Sequence, residues 1–125
     1  MKAATALSAL LLLAGCANTL ETRGVEGPVR LGEVADADGL LVRPDRLLED
    51  SRCAIGTQCV WAGRVVVRAT VFGGSGSRQV DLTLGTPLAV ADGQLTLTGV
   101  APERSAGDRP SPDLYRFTFA FQGGL

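Results

Sequence analysis

The most reactive side chains in this sequence are its three cysteines, Cys16, Cys53 and Cys59. Cys53 and Cys59 are separated by five residues, whereas redox-active pairs usually have two between them. Two thiols without further cysteines or any histidine also make an incomplete metal set, so no metal and no cofactor is expected. The chain has no histidine, the commonest general base, and its single lysine is Lys2. A serine nucleophile would therefore lack an activating partner. Carboxylates remain: Asp36, Asp38, Asp45, Glu49 and Asp50. Two such groups suitably spaced run glycoside hydrolysis. Asp36-Ala37-Asp38-Gly39 reads more simply as a solvated turn. It is a poor calcium loop, because later ligand positions fall on Leu40, Val42 and Leu47. The expectation is that the protein is not an enzyme.

The first of the cysteines closes a patterned N-terminus. Met1-Lys2 gives a positive start, and Ala3 to Leu13 is an uncharged Ala/Leu-rich run. That run is too short to span a bilayer as a helix, which needs about 20 residues, and suits the apolar part of an export signal. It ends in Leu13-Ala14-Gly15-Cys16. This tetrapeptide resembles the lipobox of bacterial lipoproteins. The resemblance implies cleavage after residue 15, a diacylglyceryl group on the Cys16 sulfur, and Cys16 as the new N-terminus. Two or more acyl chains, at about 0.8 kcal/mol per buried CH₂, make a stable membrane anchor. By analogy with enterobacterial sorting, Ala17 rather than Asp after the cysteine implies the outer membrane, with the domain facing the periplasm. Residues 16–28, rich in Thr, Glu, Arg and Gly, read as a tether.

With Cys16 lipidated, Cys53 and Cys59 remain as an even pair in an oxidising compartment, and a bridge between them would close a short loop. The stretch around them, Asp50-Ser51-Arg52-Cys53 through Cys59-Val60-Trp61-Ala62-Gly63, resembles a family of uncharacterised small bacterial secreted proteins and lipoproteins. Their shared pattern is approximately Asp-Ser-Arg-Cys-Pro, a few residues, then Cys-x-Trp-x-Gly before a hydrophobic strand. Ala54 stands where that family usually has proline. The resemblance supports the disulfide and a β fold and implies no activity. The loop then has two principal readings. In one it is a staple, with Trp61 packed beside the disulfide and Arg52 paired with Asp50 or another acid. In the other it is a recognition loop, preorganised by its bridge, with Arg52, Trp61 and Gln58 as contact residues, since Trp and Arg dominate binding hot spots.

The elements that must carry this loop read as strands. From about Val29 the sequence alternates with period two: Val65, Val67, Ala69, Val71; Val80, Leu82, Leu84; Leu95, Leu97; and Tyr115, Phe117, Phe119, Phe121. The last stripe reads as a core strand. Asp38-Gly39 and Asp92-Gly93 signal hairpins, and Gly73-Gly74-Ser75-Gly76-Ser77 a flexible connection. Residues 46–49 fit either a helical turn or a strand. Residues 101–113 read as a surface loop. With 16 glycines and 6 prolines among many Val, Leu and Thr, the expectation is an all-β domain over residues 29–125, a small antiparallel β-sandwich or barrel.

A net charge of −1, with arginines scattered along the chain, offers no basic stripe for nucleic acid. The functional expectation is a membrane-anchored, non-catalytic binding or assembly module of the cell envelope. Its partners would be the bilayer, through acylated Cys16, and an envelope protein. The alternatives are an inhibitor of an envelope-directed enzyme, acting through the Cys53–Cys59 loop, and a small-molecule carrier.

Overall fold

The computed structural model describes residues 24–73, 76–104 and 110–123; the expected signal segment and Cys16 lie outside them. Among the described residues, seven strands form two antiparallel sheets. The first holds β1 (Ala35–Ala37), β2 (Leu40–Asp50), β3 (Val65–Gly73) and β4 (Gly76–Thr83), in that order. The second holds β5 (Leu88–Val90), β6 (Gly93–Ala101) and β7 (Arg116–Gly123). This is a small β-sandwich, and it resolves the choice between sandwich and barrel that alternation alone leaves open. The stretch 46–49 is strand, the distal part of β2, paired with β3 through two register shifts.

The period-two stripes fill the space between the sheets. Val42, Val65, Val67, Ala69, Leu82, Leu95, Leu97, Tyr115 and Phe117 are buried. The aromatic stripe of β7 is core, as expected, though Phe121 near its end is only partly covered. Thr70, on the opposite face of β3 from the valines, is also buried rather than solvated. Asp45 and Arg43 cover it: its hydroxyl donates to Asp45 Oδ2 and accepts from Arg43 Nη2 at 3.2 Å.

Turn chemistry sets the registers. Asp38 and Gly39 both have positive φ, 50° and 95°, between paired Ala37 and Leu40, the backbone a two-residue type I′ hairpin requires. The Asp92-Gly93 signal marks a hairpin, but one residue off. Val90 pairs with Gly93, so Ala91 and Asp92 are the central residues. Gly93 is in the ladder, and a Cβ there would lie 2.1 Å from the Gln122 carbonyl oxygen, which is why the position is a glycine. Ala91 carries the positive φ, 52°. A left-handed conformation costs an alanine about 1 kcal/mol or more, so Ala91→Gly is expected to raise stability by about 0.5–1 kcal/mol, read by urea denaturation. At the other glycine-rich connection, Gly73 and Gly76 pair directly, so the strands run further than the expected loop allowed.

The fold also starts earlier than the expected boundary at residue 29. Val25 N–H donates to Val34 O and Asp36 N–H to Val25 O, joining this segment to β1. Val29 then exchanges both backbone bonds with Phe117, at 2.9 and 2.8 Å, and is buried. Residues 25–29 thus stitch the edge of one sheet to the edge of the other.

Candidate functional site

The segment between β2 and β3 carries the cysteines, and among the described residues no buried side-chain polar atom at its base lacks a partner. Asp50, the last residue of β2, has a side chain only 4% exposed. Its carboxylate accepts two bonds from Arg52, Nε to Oδ1 and Nη2 to Oδ2, each 2.9 Å. This is the bidentate geometry that makes Arg–carboxylate pairs strong. Tyr115 Oη donates a third bond to Oδ2 at 2.6 Å. Burial opposes ionisation of Asp50, but the Arg52 pair and the Tyr115 hydroxyl outweigh it and hold the carboxyl at about 2, below its ordinary 3.8. The same burial and the neighbouring carboxylate push the Tyr115 hydroxyl up.

Arg52 also reaches the second sheet. Nη1 donates to Val100 O at 3.2 Å and Nη2 to Pro102 O at 3.0 Å. All three guanidinium nitrogens are therefore occupied. Arg104 completes the base, its Nη1 donating to the carbonyls of Asp50 and Arg52, while Ile55 N–H donates to Arg104 O. The expected Asp50–Arg52 pair exists. The alternation expects Tyr115 in the core but gives no sign of its bond to Asp50, nor of Arg104; the two arrive from 65 and 54 residues away from Asp50.

Ser51 and Gly63 close the neck of the loop. Ser51 N–H donates to Arg64 O at 2.9 Å, and Arg64 N–H donates back to Ser51 Oγ at 3.0 Å. Arg64 Nε bonds Glu49 across the neck at 2.8 Å. Gly63 lies so close to the Ser51–Arg52 backbone that a Cβ would sit 1.9 Å from Ser51 O. Asp50-Ser51-Arg52 and Trp61-Ala62-Gly63 are thus the two legs of one clamp.

Above the clamp, Cys53 and Cys59 are joined by a disulfide with a Cα–Cα distance of 5.9 Å. Gly56 takes a positive φ of 79° at the bend, and Thr57 Oγ1 donates to Ala54 O at 2.6 Å. Loop-closure entropy assigns a bridge of this span about 2 kcal/mol. The Cys53→Ser, Cys59→Ser double variant is expected to lose about that amount in denaturant titration.

Trp61 is not packed away beside the disulfide. It is 59% exposed, with its indole N–H donating to Ser51 O at 3.2 Å. Ile55 is 60% exposed and Val60 98%. Gln58 is exposed beside them. From Cys53 to Gly63 no residue is charged. The candidate contact residues therefore divide: Arg52 faces inward as a strut, whereas Trp61 and Gln58 face solvent, joined by Ile55 and Val60, which the sequence reading did not single out.

Of the carboxylates considered for acid–base chemistry, Asp36, Asp45, Glu49 and Asp50 are engaged by partners. Asp36 Oδ1 accepts the Gly39 N–H at 2.8 Å within the expected turn, next to Asp38. Asp45 lies below its ordinary pKa: burial opposes ionisation, but bonds from Thr70, Arg43 and Gln79 outweigh it. Glu49 pairs with Arg64. An open groove of about 510 Å³ runs beside Asp45 and Asp50, walled by Leu31, Leu47, Leu48, Pro110, Pro112 and Tyr115. Among the described residues there is no cluster of three or more His, Cys, Asp or Glu able to hold a metal ion, and no helix long and apolar enough to cross a membrane. No protein-family model, no curated protein and no solved structure matches this chain.

Proposed function

We propose that this chain is a lipid-anchored bacterial envelope protein that works by surface recognition, with the Cys53–Cys59 loop as its contact face. The lipobox-like Leu13-Ala14-Gly15-Cys16 supports the anchor, and Ala17 supports sorting to the outer membrane. The observation that carries the recognition role is the placement of Ile55, Val60 and Trp61. Apolar side chains usually reach the surface singly, whereas these three share one short loop that is bridged at its ends and clamped at its base. Rigidity of this kind reduces the ordering cost of association. Confinement to a membrane raises the local concentration of the loop near other envelope components.

The test is a Val60→Ser, Trp61→Ser double variant in the native host. Neither side chain is in the core, so the variant is expected to be exported and folded, and to reproduce the envelope phenotype of the gene deletion. A folded, abundant variant indistinguishable from wild type, where the deletion differs, would overturn the reading. The same exposed loop also favours a second reading, inhibition of an envelope-directed enzyme. In that case the purified domain slows a protease or lysozyme stoichiometrically, and the double variant does not.

A further inference from the structure

The first described residue and the loop lie at opposite ends of β2. Gly24 is the first described residue, and a Cβ built there would lie 2.7 Å from Asp36 N and 2.8 Å from Leu41 Cδ2. It therefore sits at the β1–β2 hairpin end. The loop leaves from Ser51, past the far end of the same strand. At ~3.3 Å per residue, Leu41 and Ser51 are roughly 30 Å apart. Residues 16–23, fully extended at ~3.5 Å each, reach no further than roughly 28 Å.

From this we infer that the loop is the membrane-distal pole of the anchored protein, and that its occupant is an uncharged apolar pocket on a partner protein, not the bilayer. The inference rests on the anchoring reading. Were the domain to stand loop-down, Gly24 would be held roughly 30 Å above the surface, at or beyond the limit of its leash. The charges flanking the loop point the same way. A bilayer contact on anionic lipid gains from free basic side chains beside the apolar tip. Among the described residues, Arg52 and Arg104 are turned inward onto Asp50 and backbone carbonyls, and Arg64 is paired with Glu49. A second copy of the chain is a poor fit too. Three side chains offer well under the ~800 Å² per partner of a stable flat interface, so the other surface must be concave and enclose them.

Trp61 is the single tryptophan, so the native chain reports on its own loop. Full-length lipidated protein is reconstituted into phosphatidylethanolamine–phosphatidylglycerol vesicles with and without brominated acyl chains. The expected result is Trp61 emission unaffected by bromolipid and readily quenched by aqueous acrylamide. Strong bromolipid quenching with a blue shift would overturn the inference while leaving the anchor intact. An intact mass without lipid on Cys16 would instead remove the anchoring reading, and this inference with it. A photoreactive residue at Val60 in isolated host membranes tests the partner's chemistry. The expected result is one protein adduct, lost on Trp61→Ser and equally formed at low and high salt. Adducts confined to lipid, or a protein adduct abolished by salt, would contradict it.

Discussion

Asp50→Ala is expected to destabilise the domain by about 3–5 kcal/mol, enough to lower the melting temperature by tens of degrees or prevent folding. The cost lies in what remains after truncation. Arg52 keeps a largely buried charge held otherwise by two backbone carbonyls, and the Tyr115 hydroxyl loses its acceptor inside the core. Tyr115→Phe removes one neutral donor and leaves the ion pair, so about 1–2 kcal/mol is expected. The two changes share a partner and should be non-additive in a double-mutant cycle. The pH dependence has a definite sign. The folded-state carboxyl is depressed from 3.8 to about 2, so its contribution is fully present above pH 3.8 and lost as pH falls through about 2. The shift corresponds to about 2 kcal/mol. Acid titration of stability should show this loss in the wild type and lack that component in Asp50→Asn. At the alkaline end Tyr115 acts oppositely. Its raised pKa contributes stability below 10.0 that is lost as the hydroxyl ionises.

Gly63→Ala is expected to cost at least about 3 kcal/mol and to disorder the loop, because no rotamer escapes a methyl group placed against backbone. The obstructing atoms are Ser51 O and C and Arg52 Cα, at 1.9, 2.4 and 2.5 Å. Relief requires the two legs of the clamp to separate. That breaks the reciprocal Ser51–Arg64 bonds and disturbs the Trp61–Ser51 contact. Gly56→Ala is the control on the same loop. Its Cβ meets nothing within 4 Å, and the cost is the left-handed φ alone, about 1 kcal/mol. Thermal unfolding with Trp61 fluorescence separates the cases: Gly63→Ala should alter native emission as well as the midpoint, and Gly56→Ala chiefly the midpoint.

Much of the architecture was legible because a half-buried strand writes its inner face at every second residue. The valines of β3 and the aromatics of β7 announced themselves that way, and Asp38-Gly39 announced its turn. The β5–β6 turn was read one residue late, because the role of Gly93 is close approach to the Gln122 backbone rather than turn conformation. That constraint comes from a strand distant in sequence. Asp50–Arg52 is a local pair and could be read directly. Tyr115 was read as core, which it is, but the reach of its hydroxyl to Asp50 depends on how the two sheets stack. The same stacking turned Arg52 inward, away from the binding role its residue type suggested. Ile55 and Val60 gave no alternating signal. Their significance lies in being left outside the core, a property of the finished fold.

The central claim is that the Cys53–Cys59 loop is a recognition face. In-cell photo-crosslinking from position 58, beside the exposed trio, with mass spectrometry of the adduct, tests it most directly. The account predicts one reproducible envelope protein, captured by wild type and lost in the Val60→Ser, Trp61→Ser variant at equal abundance. No adduct from an abundant, folded protein, or an adduct indifferent to those two substitutions, would contradict it and leave the loop as a structural staple.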